Sequence, residues 1–112
     1  MTNPPTYTPG LGVTIMAYRL YMGLTRDTLA ERMGMNPRSL ERIEQNQRDC
    51  PPGLLDTLAE MVSKFEHAVD IAVDAINTAP HPVTLNADAD EWTRAVYGRA
   101  AVETGRSVNS AL

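Results

Sequence analysis

The chain has 112 residues, 43% of them hydrophobic, which excludes an intrinsically disordered protein and allows one compact domain with a modest aliphatic core. The net charge of −4 is unevenly divided, since residues 1–50 hold six basic and five acidic residues and residues 51–112 hold four basic and nine acidic residues. The single cysteine excludes an intramolecular disulfide, and no apolar run has the length of a membrane span.

The first 22 residues predict an unstructured segment followed by a helix. Residues 1–7 are rich in proline and threonine, so we expect them to be disordered. Thr8 and Pro9 form an N-cap and first-turn pair, which predicts a helix from there to about residue 22. The residues expected to face inward are Leu11, Val13, Met16, Ala17 and Leu20, with Arg19 beside them.

A second helix is predicted over residues 26–33. Thr25 can accept a hydrogen bond from a backbone N–H group in its first turn, and Gly34 supplies the left-handed residue that ends it. Leu29, Ala30 and Met33 fall on one side of this helix. The small side chain of Ala30 would let a neighbouring helix cross closely.

A third helix is predicted to begin at Pro37, after the N-cap Asn36, and to end at Asn46, since asparagine tolerates the left-handed conformation. Leu40 and Ile43 are three residues apart and would face inward. The residues left on the outer side are Arg38, Glu41, Arg42 and Gln45. The sequence therefore predicts two short helices around a tight turn, with two arginines exposed on the second.

From Gly53 to about Thr78, hydrophobic residues recur at steps of three and four, which predicts one long helix, or two with a bend near Lys64. This segment is longer than the core of the preceding helices requires. We therefore expect its second part to bury its apolar side against another copy of the chain.

The prolines at 80 and 82 end the long helix, and Val83–Leu85 alternates as a short strand would. If the chain holds no second strand, this strand would pair with another subunit. Asn86 or Asp88 is expected to cap a last helix over about 89–104, which Gly105 ends. The residues that we assign to dimerisation are Phe65, Val69, Ala72, Val73, Ile76, Val83, Leu85, Trp92 and Val96.

No catalytic constellation is evident, because the sequence has no glycine-rich phosphate loop and no serine or cysteine nucleophile near a usable base. His67 is followed by Asp70 and Asp74, but these acids have the spacing of an exposed helix face. We therefore expect no enzymatic activity, no cofactor and no metal. Cys50 precedes two prolines and is interpreted as a structural residue, with a redox role as the alternative.

Residues 8–62 resemble the phage repressor and Cro-like helix-turn-helix family, also called the Xre-like family. The matching residues are Arg19-Leu20, Gly23-Leu24-Thr25, Leu29-Ala30, Met33-Gly34-Met35, Ser39-Leu40, Arg42-Ile43-Glu44, Asn46 and Arg48. Two residues depart from the family pattern. Pro37 stands where the family often places a polar base-reading residue, and Asn46 stands where glycine is usual.

The resemblance implies a transcriptional regulator, foremost a dimeric repressor that binds an inverted-repeat operator through the major groove of double-stranded DNA. The residues implied as base-reading are Arg38, Ser39 and Arg42, and those implied as contacting the DNA backbone are Thr25, Arg26, Asn36, Gln45, Gln47 and Arg48. In the family, a basic residue at the position of Arg19 pairs with the acid of the recognition helix, here Glu44. The alternative for Arg19 is an exposed side chain.

The expected architecture is nearly all-α: a five-helix repressor-like head, then a long helix, a short strand and a C-terminal helix. Its parts would be residues 1–7, a DNA-binding domain over 8–64 and a dimerisation region over 65–112. The order of elements over 53–105 also resembles small autorepressors of anti-CRISPR operons. Other hypotheses are an antitoxin that binds a toxin through the acidic second half, a phage recombination accessory protein, and a plain helical bundle with a solvated arginine face. The start of the chain lacks the features of a signal peptide, so we expect a cytoplasmic location with no membrane partner.

Overall fold

The computed structural model of the chain describes residues 7–111, which contain five helices and two short strands. In chain order these are α1 (Gly12–Tyr21), α2 (Arg26–Met33), α3 (Pro37–Glu44), α4 (Leu54–Thr78), β1 (Val83–Leu85), α5 (Glu91–Thr104) and β2 (Val108–Ser110). The prediction of a nearly all-α protein is confirmed. Residues 1–6, which hold most of the segment predicted to be disordered, lie outside the described residues.

The chain forms two compact units, one up to Val62 and one from Ser63 onward. In its described part the first unit contains α1, α2, α3 and the beginning of α4. It therefore has fewer helices than the five-helix head that we expected. The residues that form its apolar core are Ile15, Met22, Leu24, Leu29, Ala30, Leu40, Ile43, Cys50, Leu54 and Leu58.

The start of α1 differs from its prediction because a long-range contact engages Thr8. Thr8 and Cys50 exchange two backbone hydrogen bonds, from Thr8 N to Cys50 O at 2.9 Å and from Cys50 N to Thr8 O at 2.8 Å. Thr8 is therefore held in an extended bridge and does not cap the helix, which begins at Gly12. The predicted start at Thr8 is wrong.

The buried side of α1 also differs from its prediction. Gly12, Ile15 and Arg19 are buried. Val13, Ala17 and Leu20, which we expected to face inward, are exposed. The sequence of α1 is apolar nearly all round, so periodicity alone did not fix its buried side. Arg19 lies on the buried side because it pairs with Glu44 of α3.

The boundaries of α2 and α3 agree with their predictions, because both helices are defined by local capping groups. The Thr25 hydroxyl accepts a hydrogen bond from Thr28 N, and Asn36 Oδ1 accepts one from Arg38 N at 2.8 Å. Gly34 has a φ of 66° at the end of α2, and Asn46 has a φ of 60° just after α3. Each stop residue thus has the left-handed conformation that the sequence predicted.

The second unit contains the later part of α4 together with β1, α5 and β2. α4 is one continuous helix of 25 residues, the first of the two predicted alternatives. The ring of Phe65 on α4 meets that of Trp92 on α5 edge to face, with centroids 5.5 Å apart. Asp90, and neither Asn86 nor Asp88, is the N-cap of α5, and Gly105 ends this helix as predicted.

Five of the nine residues that we assigned to dimerisation are buried within the chain itself. These are Phe65, Val69, Ala72, Ile76 and Val96. The prediction that they need a second chain to cover them is wrong, because the chain supplies its own cover. Val73, Val83, Leu85 and Trp92 are partly buried.

The strand β1 has a partner in its own chain. It pairs in parallel with β2, with Val83 opposite Val108 and Leu85 opposite Ser110. The expectation that β1 would pair with another subunit is therefore wrong. It failed because Val108–Ser110 lacks the alternation of apolar and polar residues by which Val83–Leu85, of the same length, was detected in the sequence.

None of the helices within residues 7–111 combines the length and hydrophobicity that a bilayer crossing requires.

Candidate nucleic-acid interface

The short helices α2 and α3 are joined by a turn with a defined hydrogen-bond pattern. Gly34 N donates to Glu31 O at 3.1 Å, and Met35 N donates to Ala30 O at 2.9 Å. These bonds satisfy carbonyl groups at the end of α2, and Asn36 with Pro37 then begins α3 at once. The turn is thus fixed at both ends, and α3 has a defined starting point relative to α2.

The outer side of α3 carries two exposed arginines four residues apart. Leu40 and Ile43 anchor the inner side in the core, while Arg38 and Arg42 are exposed. Among residues 7–111, neither of these two guanidinium groups has an ion-pair partner. Glu41 and Gln45 are exposed on the same helix. This surface can donate several hydrogen bonds to a partner that presents acceptor groups.

The inner side of α3 is fixed by the buried carboxylate of Glu44. Arg19 Nε donates to Glu44 Oε2 at 2.8 Å, and Arg19 Nη2 donates to Glu44 Oε1 at 2.9 Å. The third nitrogen of Arg19, Nη1, donates to Leu24 O at 3.1 Å. The side chains of Arg19 and Glu44 are only 11% and 1% exposed. The structure thus contains the ion pair that the resemblance implied, and the exposed alternative for Arg19 does not hold.

Arg26 has a second role that the sequence did not indicate. Its Nε donates to Glu44 Oε1 at 3.1 Å, so one carboxylate holds arginines from both α1 and α2. The family resemblance implied for Arg26 a contact with the DNA backbone alone. The Arg26 side chain is still 38% exposed and lines the cleft described below between α2 and α3. No local pattern could have revealed this contact, which spans 18 positions of the chain.

A second tie joins the end of α3 to the start of α1. Gly12 N donates to Asn46 Oδ1 at 2.9 Å. A Cβ atom on Gly12 would collide with the backbone oxygen of Glu44 and would lie 2.7 Å from Asn46 Oδ1. Glycine at position 12 is therefore required by this close approach of α1 to α3. A glycine at the first position of a helix, where it weakens the helix, was the available signal.

The predicted backbone-contacting residues lie around the two ends of α3. Arg48 Nη1 donates to Ser39 Oγ at 3.0 Å, so these two predicted DNA contacts are hydrogen-bonded to each other. Gln45 and Gln47 are exposed. Thr25 and Asn36 are exposed as well, although their side-chain oxygens already cap α2 and α3.

A cleft of about 630 Å³ lies between the first turns of α2 and α3. Its lining residues are Arg19, Thr25, Arg26, Asp27, Pro37, Arg38 and Glu41. Arginine nitrogens in such a cleft can donate charge-assisted hydrogen bonds to anionic oxygens. The cleft thus brings Arg26 of α2 and Arg38 of α3 to one surface, with Asp27 and Glu41 also in its lining.

Cys50 lies in the core of the first unit. Burial raises the pKa of its thiol, because the thiolate loses solvation. The Sγ atom lies 3.5 Å from Pro51 O. A buried thiol with a raised pKa is a poor nucleophile at neutral pH, which favours the structural interpretation of this residue.

Comparisons of the chain with models of protein families, with curated proteins and with solved structures found no match. The basis for assigning a function is therefore the geometry of α2 and α3 and the side chains on them.

Proposed function

We propose that the chain is a sequence-specific DNA-binding regulator of transcription that inserts the exposed side of α3 into the major groove. The observation that carries this proposal is the pair Arg38 and Arg42, which are exposed, four residues apart and without ion-pair partners in residues 7–111. An α-helix with its side chains is about 10–12 Å wide, which matches a major groove about 12 Å wide. A guanidinium group can donate two hydrogen bonds to the O6 and N7 atoms of guanine, so we expect guanines in the bound site.

The fixed position of α3 supports this proposal. Reading a base edge requires each arginine to reach a defined position, which a loosely held helix would not provide. Glu44 ties α3 to Arg19 of α1 and to Arg26 of α2, and Asn46 ties its end to Gly12. The reading side chains therefore extend from a helix held at its inner side and at its end.

Contacts with phosphate would set the position of the head on the duplex. Thr25 and Arg26 line the cleft between α2 and α3, and Gln47 and Arg48 lie beyond the other end of α3. These groups can bind the sugar-phosphate backbone on the two sides of the groove. The small positive charge of residues 1–50 implies weak binding to DNA of arbitrary sequence.

We further propose that the regulator acts as a dimeric repressor of the Xre-like kind. Two heads related by a two-fold axis would recognise an inverted repeat, with half-sites about 34 Å apart, one turn of DNA. The segment of residues 51–112 has a net negative charge that would repel phosphate, so it is better suited to contacts between subunits than to contacts with DNA.

The proposal is tested by selection of bound sites from a random pool of duplex DNA with the purified chain. We expect enrichment of one motif that contains guanines and is repeated in inverted orientation. A parallel selection without protein provides the background. A pool that shows no enriched motif after repeated rounds would overturn the proposal.

A further inference from the structure

The second unit carries a protruding apolar side chain directly beside an apolar cavity. Ile71 on α4 is 57% exposed. The cavity beside it, of about 220 Å³, lies between α4 and α5. Its lining includes Ala68, Ile71 and Ala72 of α4 and Trp92, Val96 and Tyr97 of α5. An exposed isoleucine next to a cavity lined by small and aromatic side chains forms an apolar surface that is suited to burial against a partner.

We propose that this surface binds a second copy of the chain, with Ile71 of each copy seated in the cavity of the other. A two-fold contact is self-complementary, so the protruding group and the hole that receives it must lie on the same patch. Ile71 and the cavity meet this requirement, whereas a different partner would need only one of the two. The interface rests on the proposed function, because it would supply the dimer that an inverted repeat requires.

Charges at the rim of the cavity also favour a second copy. Asp74 follows Ile71 by three residues on α4, and Arg94 precedes Tyr97 by three residues on α5, so each lies one turn from a cavity residue. Both are exposed, and neither side chain forms an ion pair within the described residues. A two-fold contact that seats Ile71 of one copy between α4 and α5 of the other would bring α4 of the first copy close to α5 of the second. Asp74 and Arg94 would then be paired twice, once on each side of the axis.

The small size of the sheet suggests that the second unit would gain stability by binding a partner. β1 and β2 form a two-stranded sheet, and a sheet of this size is marginal in water without further packing. Cover on the neighbouring α4 and α5 surface would add apolar burial to the unit.

The first test is sedimentation of the intact chain and of two single variants, without DNA. We expect the native chain to be a dimer at micromolar concentration. Ile71→Asp should raise the dimer dissociation constant by ~10-fold or more, because a carboxylate would be buried without a partner in the cavity. Val102→Asp is the matched control, since Val102 is 80% exposed on α5 and lies outside the cavity lining. Helical circular dichroism should be unchanged in both variants, because both side chains are exposed.

The second test is charge reversal at the rim. Asp74→Arg and Arg94→Asp should each weaken the dimer, and the two together should restore it. A native chain that stays monomeric would overturn the interface. The interface would also be overturned if Ile71→Asp raised the dimer dissociation constant no more than Val102→Asp does, or if the double charge reversal failed to restore the dimer. Because sedimentation omits DNA, its failure is distinguishable from failure of the DNA selection. A monomer that enriches a motif would overturn the interface and the dimeric assembly and would leave sequence-specific DNA binding standing. A dimer that enriches no motif would overturn only the DNA-binding proposal.

Discussion

Arg19 of α1 and Glu44 of α3 form a bidentate ion pair inside the first unit, with nitrogen to oxygen distances of 2.8 and 2.9 Å. Burial removes both charges from water, and the pair compensates for this only while both partners are present. The carboxylate lies at the end of the helix that carries Arg38 and Arg42. The pair thus connects the stability of the unit with the position of the side chains that we propose to contact DNA.

The first prediction is that Arg19 and Glu44 are strongly coupled in stability. Glu44→Leu should lower the free energy of unfolding by about 3–5 kcal/mol, because it leaves the buried guanidinium of Arg19 without a carboxylate. Arg19→Met should cost less than Glu44→Leu, because Arg26 still donates to Glu44. The double variant should lose less than the sum of the two. The measurement is a double-mutant cycle on denaturant unfolding. Strict additivity would show that the two side chains do not interact.

Arg26→Ala is the control for this cycle. Its side chain also donates to Glu44, but it is partly solvated. We expect a loss of roughly 0.2–1 kcal/mol, as for an exposed pair. A loss as large as that of Arg19→Met would mean that Arg26 stabilises the Glu44 carboxylate as much as Arg19 does.

The second prediction concerns the close approach at Gly12. Gly12→Ala should destabilise the chain by about 1–3 kcal/mol, because a methyl group must displace backbone at Glu44 and the side chain of Asn46. Gly98→Ala is the control, since a Cβ atom there would have no neighbour within 4 Å. That change should stabilise α5 by roughly 0.5–1 kcal/mol. Thermal unfolding of the two variants should therefore shift in opposite directions, and a Gly12→Ala variant as stable as the native chain would refute the close approach.

The third prediction concerns the thiol of Cys50. Burial raises its pKa, so its alkylation by iodoacetamide at about pH 8 should be ~10-fold or more slower in the folded chain than in urea. The raised pKa also makes the free energy of unfolding depend on pH. The neutral thiol contributes fully to the free energy of unfolding below its ordinary pKa. This contribution is lost as the pH rises through the higher pKa of the thiol in the folded chain. Cys50→Ala should remove that part of the alkaline decline, and equal alkylation rates in both states would contradict the burial.

Local capping chemistry made α2 and α3 predictable from the sequence. Thr25, Gly34, Asn36 and Asn46 each act on backbone groups a few residues away, so their roles could be assigned without knowledge of the fold. The same argument failed at Thr8, which looks like a cap but pairs with Cys50 across 42 positions of the chain. A local signal predicts a local structure only where no distant group competes for it.

The features that the sequence did not predict depend on contacts between distant residues. Arg26 reaches Glu44, Gly12 reaches Asn46, and β1 pairs with β2. The residues expected to form an interface between subunits were instead largely buried within the chain, because periodicity identifies an apolar side without identifying what covers it. The position of Ile71 beside a cavity could not be predicted from the sequence, because the cavity is formed by α4 and α5 together.

Replacement of Arg38 and Arg42 on α3 tests most directly whether these two side chains read the sequence of duplex DNA. Equilibrium binding should be measured by fluorescence anisotropy on the selected duplex and on a shuffled duplex of equal composition. Arg32→Ala is the control, because Arg32 is exposed on α2 and its loss removes the same charge from the same unit. We predict that Arg38→Ala and Arg42→Ala each cost about 1–3 kcal/mol on the selected duplex and much less on the shuffled one, while Arg32→Ala leaves the ratio of the two affinities unchanged. Equal affinity of the native chain for both duplexes, or an unchanged ratio of the two affinities in the Arg38→Ala and Arg42→Ala double variant, would contradict base reading by these two arginines.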